Sequence, residues 1–563
     1  MLSRRELLHL LACTAPLVAG FGNVPRALAR QRLTQEDILA FAPKGQVTLL
    51  HITDLHAQLV PIWFREPSVN IGVGEAAGRP PHLTGRALLE HFGIAPGSPE
   101  AYMLSAEDFD ALAKAYGKVG GLDRIATLVA AVRAERGDRV LLLDGGDSWQ
   151  GSWTALQTRG ADMVEVANLL GVDAMTAHWE FTYGQDRVEE LIEQLAFPFL
   201  AQNVRDVDWE EPVFDGVAYF ERGGIKVAVI GQAFPYTPIA NPRWMIPQWS
   251  FGIREDELRE LVREAREEEG AELVVLLSHN GFDVDHKLAA RVEGIDVILT
   301  GHTHDAMPRP MRVGNTLLVA TGSHGKFVSR LDIEIRGGRI ADFAYKLMPV
   351  LADAIEPDPE MAARIAEIRA PYAEALTEVV GRTEIPLYRR GNFNGTFDDV
   401  ICAALMEGRD AEIALSPGFR WGTSLPSGEA ITREFVYSHT AMTYPQVYRL
   451  EMTGAQLKAI FEDVADNLFN PDPYYQQGGD MVRVGGLAYR IAPEAEMGNR
   501  IRDLRLITTD EPLEAAKSYV VAGWASVNPD VEGPPVWELV LEYIRARQIV
   551  RPEPVSRVEI VSD

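Results

Sequence analysis

The chain has 563 residues and a formal net charge of −27, from 54 basic and 81 acidic side chains, and its length exceeds one ordinary core, so two domains are the default. Hydrophobic content of 47% beside 24% charged residues is globular and argues against wholesale disorder. No Lys/Arg block can track a phosphate backbone, so nucleic acid is a poor partner, and an anionic substrate needs a local cationic feature such as bound metal.

The opening "MLSRRELLHLLACTAPLVAGFGNVPRALARQRL" sets Arg4 and Arg5 before an apolar run from Leu7 to about Phe21, then "ALA" at Ala27 to Ala29. That pattern matches a twin-arginine export signal over residues 1–29 and predicts a periplasmic protein. The run is shorter than the roughly 20 residues that a transmembrane anchor needs. Cys13 reads as an apolar signal residue or as a lipid-anchor site. Beyond the signal only Cys402 remains, in the helical "FDDVICAALMEG"; it can make no internal disulfide and reads as a buried apolar residue.

From Gln46 to about Pro349 short apolar runs alternate with helix-like stretches, which predicts a layered α/β domain over 30–350. The runs "VTLLHIT", "RVLLLDGG", "KVAVIGQ", "ELVVLLSHNG", "DVILTGHTH" and "TLLVATGSHG" each end near glycine, histidine or an acid. Strand ends in such sheets gather ligand groups, because the sheet holds them rigidly at its rim. The Pro- and Gly-rich stretch at about 58–121 reads as an insertion capping those ends and as a candidate wall for the site. "PDPEMAARIAEIRAPYAEALTEVV" reads as a helix within a linker at 351–380, and a second α/β domain follows over 381–563, with a clear helix at "TGAQLKAIFEDVADNLF".

Four stretches place acids and histidines at strand ends: "DLHAQ" (Asp54, His56), "DGGDSWQGS" (Asp147), "LSHNG" (His279) and "GHTHD" (His302, His304); His178 in "TAHWEFTYG" is equivalent. Imidazole and carboxylate together suit borderline divalent metals, and two ions about 3.5–4 Å apart need a shared oxygen ligand, for which Asp147 is the natural choice. Asn280 and Asp305, next to ligands, read either as groups orienting the histidines or as plain turn formers.

D-x-H, G-D-x-x-x-G, a His-Asn strand end and G-H-T-H resemble the calcineurin-like metallophosphoesterases and, more narrowly, the 5'-nucleotidase superfamily. The resemblance implies an N-terminal four-layer αββα sandwich joined by a helix to a C-terminal α/β substrate domain. It implies one ion on Asp54, His56, Asp147 and His304, and a second on Asp147, His279, His302 and a residue of the "TAHWEFTYG" loop, where His178 occupies the metal position. It also implies that Arg420, in "LSPGFRWGTSLPSGEAIT", grips an anion. With Asp147, Arg420 is a catalytic candidate. Trp421 and Tyr444 line the same opening or belong to the core, and Trp179 is a further substrate-binding candidate.

Nucleotidases carry G-N-H-E-F-D-x-G in that loop, with a histidine that protonates the leaving group and an aspartate that orients it. Here those positions hold Trp179 and Thr182. An alkoxide leaving group needs a proton, since water's pKa is about 15.7, whereas a thiolate, near 8.5, leaves unaided. The late G-G-D-G-[FY] segment that stacks a base is also absent from "VVAGWASVNPDVEGPPVWELV". "FREPSVNIG", "PPHLTG" and the His-Trp replacement are similar to the SoxB family of thiosulfohydrolases. That resemblance implies hydrolysis of a cysteine-bound S-sulfonate on the SoxYZ carrier arm with release of sulfate and no general acid. It implies two Mn(II) ions, though the same donors suit Zn, Fe or Co. A periplasmic 5'-nucleotidase or phosphoesterase is the alternative enzyme, and a metal-binding or carrier-docking module the alternative without turnover.

Overall fold

A computed structural model describes residues 32–562; the export-signal reading and Cys13 lie outside them. The N-terminal strands are β1 (Val47–Ile52), β2 (Val140–Asp144), β3 (Ala174–Met175), β4 (Val217–Arg222), β5 (Ile225–Gln232), β6 (Leu273–Ser278), β7 (Val297–Thr300), β8 (Met311–Val313), β9 (Thr316–Ala320), β10 (Phe327–Arg336) and β11 (Arg339–Pro349). They form one sheet in the order β11-β10-β1-β2-β3 and a second in the order β8-β9-β7-β6-β5-β4. Each of the six apolar runs supplies a strand, and the neighbours β1 and β2, β5 and β6, β6 and β7, and β7 and β9 pair in parallel.

The period of two along each strand builds the layers. Val47, Leu49, Leu141 and Leu143 face Val227, Val229, Val275 and Leu277 across the middle. The alternate residues Leu50, Ile52 and Leu142 pack outward on α1 (Leu122–Arg136) and α2 (Ala161–Leu170), while Ile230, Val274 and Leu276 pack on α3 (Glu255–Glu267) and α4 (Phe282–Ala289). Helices, sheet, sheet and helices give the expected αββα order.

The connecting helix α5 (Pro359–Arg369) starts on Asp358, whose carboxylate accepts from the amides of Glu360 and Met361, with Pro359 in the first turn where its missing N–H costs nothing. It is shorter than its sequence pattern: a 3-10 turn at Ala370–Tyr372, containing Pro371, separates it from a second short helix at Ala373–Thr377. From Val379 onward the chain builds three small sheets, the largest pairing Val447–Thr453, Ser518–Trp524, Ile413–Ser416 and Arg483–Gly485. They carry α6 (Thr396–Arg409), α7 (Gly454–Phe469, with a capping box of Thr453 and Gln456) and α8 (Val536–Arg547). Cys402 is buried in α6. Among the described residues no helix is long and apolar enough to cross a membrane.

Candidate metal centre

Seven side chains converge from the loops that follow β1, β2, β3, β6 and β7. Asp54, His56, Asp147 and His304 offer ligand atoms within 4.8 Å of one another, as do Asp147, His178, His279 and His302, and all seven are buried. Asp147 belongs to both groups, the position expected of a bridging ligand. Asp54, His56, Asp147, His302 and His304 have φ between 46° and 73°, a left-handed backbone that costs non-glycine residues energy and persists where the surroundings enforce it.

Glu180, fully buried, helps enforce it. Its carboxylate accepts the amides of Ser148 (2.7 Å), His178 (2.8 Å), Asp147 (3.2 Å) and Trp149 (3.2 Å), tying the loop after β2 to the loop after β3. The Trp179 amide donates to Asp147 Oδ1 at 2.7 Å, and the His302 amide to both oxygens of Asp54 at 3.1 Å. Backbone carbonyls, in turn, orient the rings: His279 Nδ1 lies 2.6 Å from Gly145 O and His56 Nδ1 3.3 Å from Gln150 O, which turns each Nε2 into the cluster, that of His279 to within 3.2 Å of Asp147 Oδ2. Asn280 bonds Gln232 and Asp285, and Asp305 accepts from Asn70, so the contacts of both shape loops.

The donor set fits a pair of divalent cations. His56 Nε2 and His304 Nε2 face each other at 3.0 Å, and His178 Nε2, His302 Nε2 and His304 Nδ1 are buried without a hydrogen-bond partner. Burial holds His56 and His178 below the usual imidazole range, and burial with neighbouring histidines and Arg420 holds His302 and His304 well below it. Burial pushes Asp54 up; it opposes the charge on Asp147 too, yet His178 and His279 keep that carboxyl well down. Against burial, Asp147 and Asp54 drive His279 up to about 10. A proton there answers the positive charge that two buried carboxylates demand, and divalent ions answer the same demand while displacing it.

The region beyond Val379 closes the site. Arg420, partly buried, reaches the His302 carbonyl at 3.4 Å, with Asp480 Oδ1 3.7 Å from its Nε. Burial pulls its guanidinium below the usual range while Asp480 pulls the other way. A cavity of about 300 Å³ runs from His56, Asp147 and His178 to Trp179, Arg420 and Tyr444. Trp421 stacks on Phe419 at 3.9 Å and meets Trp179 edge-on at 4.8 Å, so it is core and wall together. Tyr444 likewise lines the cavity and is packed, its hydroxyl donating to Ala240 O at 2.8 Å. Thr182 Oγ1 lies 2.6 Å from Thr443 Oγ1.

The insertion at 58–121 contributes no residue to the lining of this cavity, contrary to its expected role as a wall. It packs behind the GHTHD loop, held by Asn70 to Asp305 (3.2 Å), Glu66 to Lys326 (2.5 Å) and the Ser424 amide to Trp63 O (2.8 Å), and lines two smaller hollows there.

Four residues escaped the sequence reading. Glu180 has an acid's place in a recognised loop but no assigned role. His324, in "TGSHG", is buried 5.2 Å from the His56 ring and accepts the Gly422 amide at 3.2 Å. Arg390 donates to Thr303 O at 3.0 Å. Gly478 (φ 76°) lies so close to His302 that a Cβ there would be 2.0 Å from Nε2.

The family described as "5'-nucleotidase, C-terminal domain" matches residues 378–531. A curated 5'-nucleotidase of Rattus norvegicus is 23% identical over 505 residues, covering 78% of this chain and 85% of that protein. The solved 5'-nucleotidase precursor of Thermus thermophilus shares the fold, with a TM-score of 0.72 at 22% identity over 92% of this chain and all of that one. The solved sulfate thiohydrolase SoxB of Thermus thermophilus, in complex with glycerol, superposes with a TM-score of 0.89 at 39% identity, covering 92% of this chain and 98% of that one. The chain belongs to the SoxB family. This SoxB-family protein thus sits within the 5'-nucleotidase superfamily and carries a hydrolase fold with a buried Asp/His cluster suited to two metal ions.

Proposed function

We propose that this protein is a periplasmic thiosulfohydrolase, exported by the twin-arginine route, that removes the terminal sulfonate from a cysteine S-thiosulfonate on the carrier arm of SoxYZ and releases sulfate. One observation carries the reading. At the two positions where nucleotidases hold a proton donor and its orienter, this chain presents the Trp179 ring, packed against Phe419 and Trp421, and Thr182, engaged with Thr443. Neither can protonate an alkoxide, and a sulfur leaving group does not require it.

Asp54, His56, Asp147 and His304 would hold one ion and Asp147, His178, His279 and His302 the other, Mn(II) being proposed and Zn, Fe or Co fitting the same donors. Such a pair lowers the pKa of water and neutralises charge on an anionic substrate. Arg420 extends its guanidinium along the cavity wall to bind the sulfonate oxygens, and the aromatic wall at Trp179 and Trp421 keeps water from the departing sulfur. Oxygen from water bonds to the terminal sulfur, the sulfur–sulfur bond breaks with its electron pair staying on the carrier as a persulfide anion, and sulfate leaves while the two protons of the water pass to solvent. Asp147 fixes the geometry through its place in both ligand groups.

The test compares purified metal-loaded protein on a peptide carrying an S-sulfonated cysteine and on a nucleoside monophosphate. Sulfate release with negligible phosphate release is expected. A strong preference for the nucleotide would favour the 5'-nucleotidase reading, and binding of the carrier without turnover of either would favour a docking module.

A further inference from the structure

Behind Arg420 runs a row of buried charges of alternating sign. Arg389 Nε lies 2.6 Å from Asp398 Oδ1, Asp398 Oδ2 lies 3.4 Å from Arg483 Nε, Arg483 NH2 lies 2.7 Å from Asp480 Oδ2, and Asp480 Oδ1 lies 3.7 Å from Arg420 Nε. The first four side chains are at most 1% exposed and Arg420 is 13% exposed, at the end that opens on the cavity. Each carboxylate lies between two guanidiniums, so the row carries three positive and two negative charges and is positive overall, with Arg420 as its end on the cavity. Buried ions need such pairing, because desolvation exceeds what one distant partner returns.

The row also holds the backbone that carries Arg420. Arg389 NH2 donates to Pro417 O at 2.9 Å and the Asp480 amide to Gly418 O at 2.9 Å, bracketing the segment just before Arg420. A Cβ on Gly418 would come within 2.2 Å of Asp480 O, so the two strands of this loop pair can approach only with glycine there. Arg390 and Arg420 flank the GHTHD loop, reaching the carbonyls of Thr303 and His302. Two like charges so placed repel unless a carboxylate stands behind one of them.

We infer that Asp480 is a positioning residue for the anion site: it holds the Arg420 guanidinium at the cavity wall, in the orientation that grips the sulfonate of the substrate and the sulfate product. The inference deepens the proposed function and rests on Arg420 binding the sulfonate there.

Sulfate binding to the metal-loaded protein, read by calorimetry, tests it without turnover. Asp480→Asn keeps the shape and removes the charge; it should weaken sulfate binding roughly 10-fold, the scale of losing one partner of a close, largely desolvated charge pair, and raise KM for the S-sulfonate peptide in parallel. In an Arg420→Ala background the same substitution should change sulfate binding less than about twofold, since residues acting as a unit are not additive. Equal weakening in both backgrounds, or none in either, would overturn the inference, because a purely structural role does not depend on Arg420. Should Asp480→Asn fail to fold, Arg420→Lys probes the contact from the other side: it keeps the charge but lacks the Nε facing Asp480, and wild-type sulfate affinity in that variant would overturn the inference. Absence of S-sulfonate turnover with the coupling intact would count against the proposed reaction alone; normal turnover with sulfate affinity indifferent to Asp480 would count against this inference alone.

Discussion

The Trp179 amide donates to Asp147 Oδ1 at 2.7 Å, so the residue standing where nucleotidases place a proton donor serves the shared acid through its backbone and presents only its ring to the cavity. Trp179→Phe keeps that amide and an aromatic wall and should retain S-sulfonate hydrolysis within about 10-fold, below the 10²–10⁴ that a general acid contributes. The double substitution Trp179→His with Thr182→Asp should raise phosphate release from a nucleoside monophosphate by at least about 100-fold, on the same scale. Paired kcat/KM values on the two substrates are the measurement, and loss of S-sulfonate turnover in Trp179→Phe beyond what general acids supply would contradict a reaction without an acid.

Glu180 accepts four backbone amides from two ligand loops while fully buried. Replacing it with alanine strands those donors away from water at about 1–3 kcal/mol each where they find no new partner. With partial relaxation Glu180→Ala should lower unfolding free energy by about 3–5 kcal/mol. Because the same amides hold Asp147 and His178 in place, the metal content of purified protein should fall as well. Thermal melts and elemental analysis on one sample read both; an unchanged metal content would show that these loops keep their geometry without the carboxylate.

The contrast between Asp147 and Glu180 shows which residues sequence reasoning can find. The clustered acids and histidines fall just after apolar runs, Asp54 with His56 and His302 with His304 two residues apart, so the pattern of candidate metal ligands is legible in the sequence. The four layers were legible too, because buried strands read as apolar runs. The hairpin β10–β11 was not singled out, although it alternates around Gly337 and Gly338, since its edge strand is half polar. Glu180, by contrast, bonds only to backbone amides, which every residue has, so nothing about its partners is written in their side chains. Arg390 meets Thr303 from 87 residues away, and the approach of Gly478 to His302 is likewise a product of packing between distant segments. The insertion's placement behind the GHTHD loop also depends on long-range contacts, Asn70 to Asp305 and Glu66 to Lys326, that no local pattern announces.

Asp147 alone belongs to both ligand groups. Asp147→Asn should therefore reduce binding from two ions to at most one while leaving the sheets intact. A ligand at about 100 times its Kd adds about 2.7 kcal/mol to the native state. Chelator should then lower the melting temperature of the wild-type protein clearly and that of the variant little. Equal chelator effects on both would show that Asp147 does not link the two ions.

Asp399, in the first turn of α6, supplies a pH signature away from the metal cluster. Burial, with the neighbouring Asp398 charge adding to it, pushes its carboxyl up to about 7, while the Asn394 amide at 3.2 Å works in the opposite direction. The folded pKa lies above the unfolded value, about 3.9, so between those limits the native state binds the proton that the unfolded chain releases. Its contribution to stability is fully present below about pH 4 and is lost as pH rises to about 7. Asp399→Asn lacks that titration. The stability of the variant relative to wild type should rise from pH 4 to pH 7 by on the order of a few kcal/mol and level off above, measured by denaturant unfolding at matched pH. A difference that stays flat across that window would mean that Asp399 is ionised in the folded protein throughout.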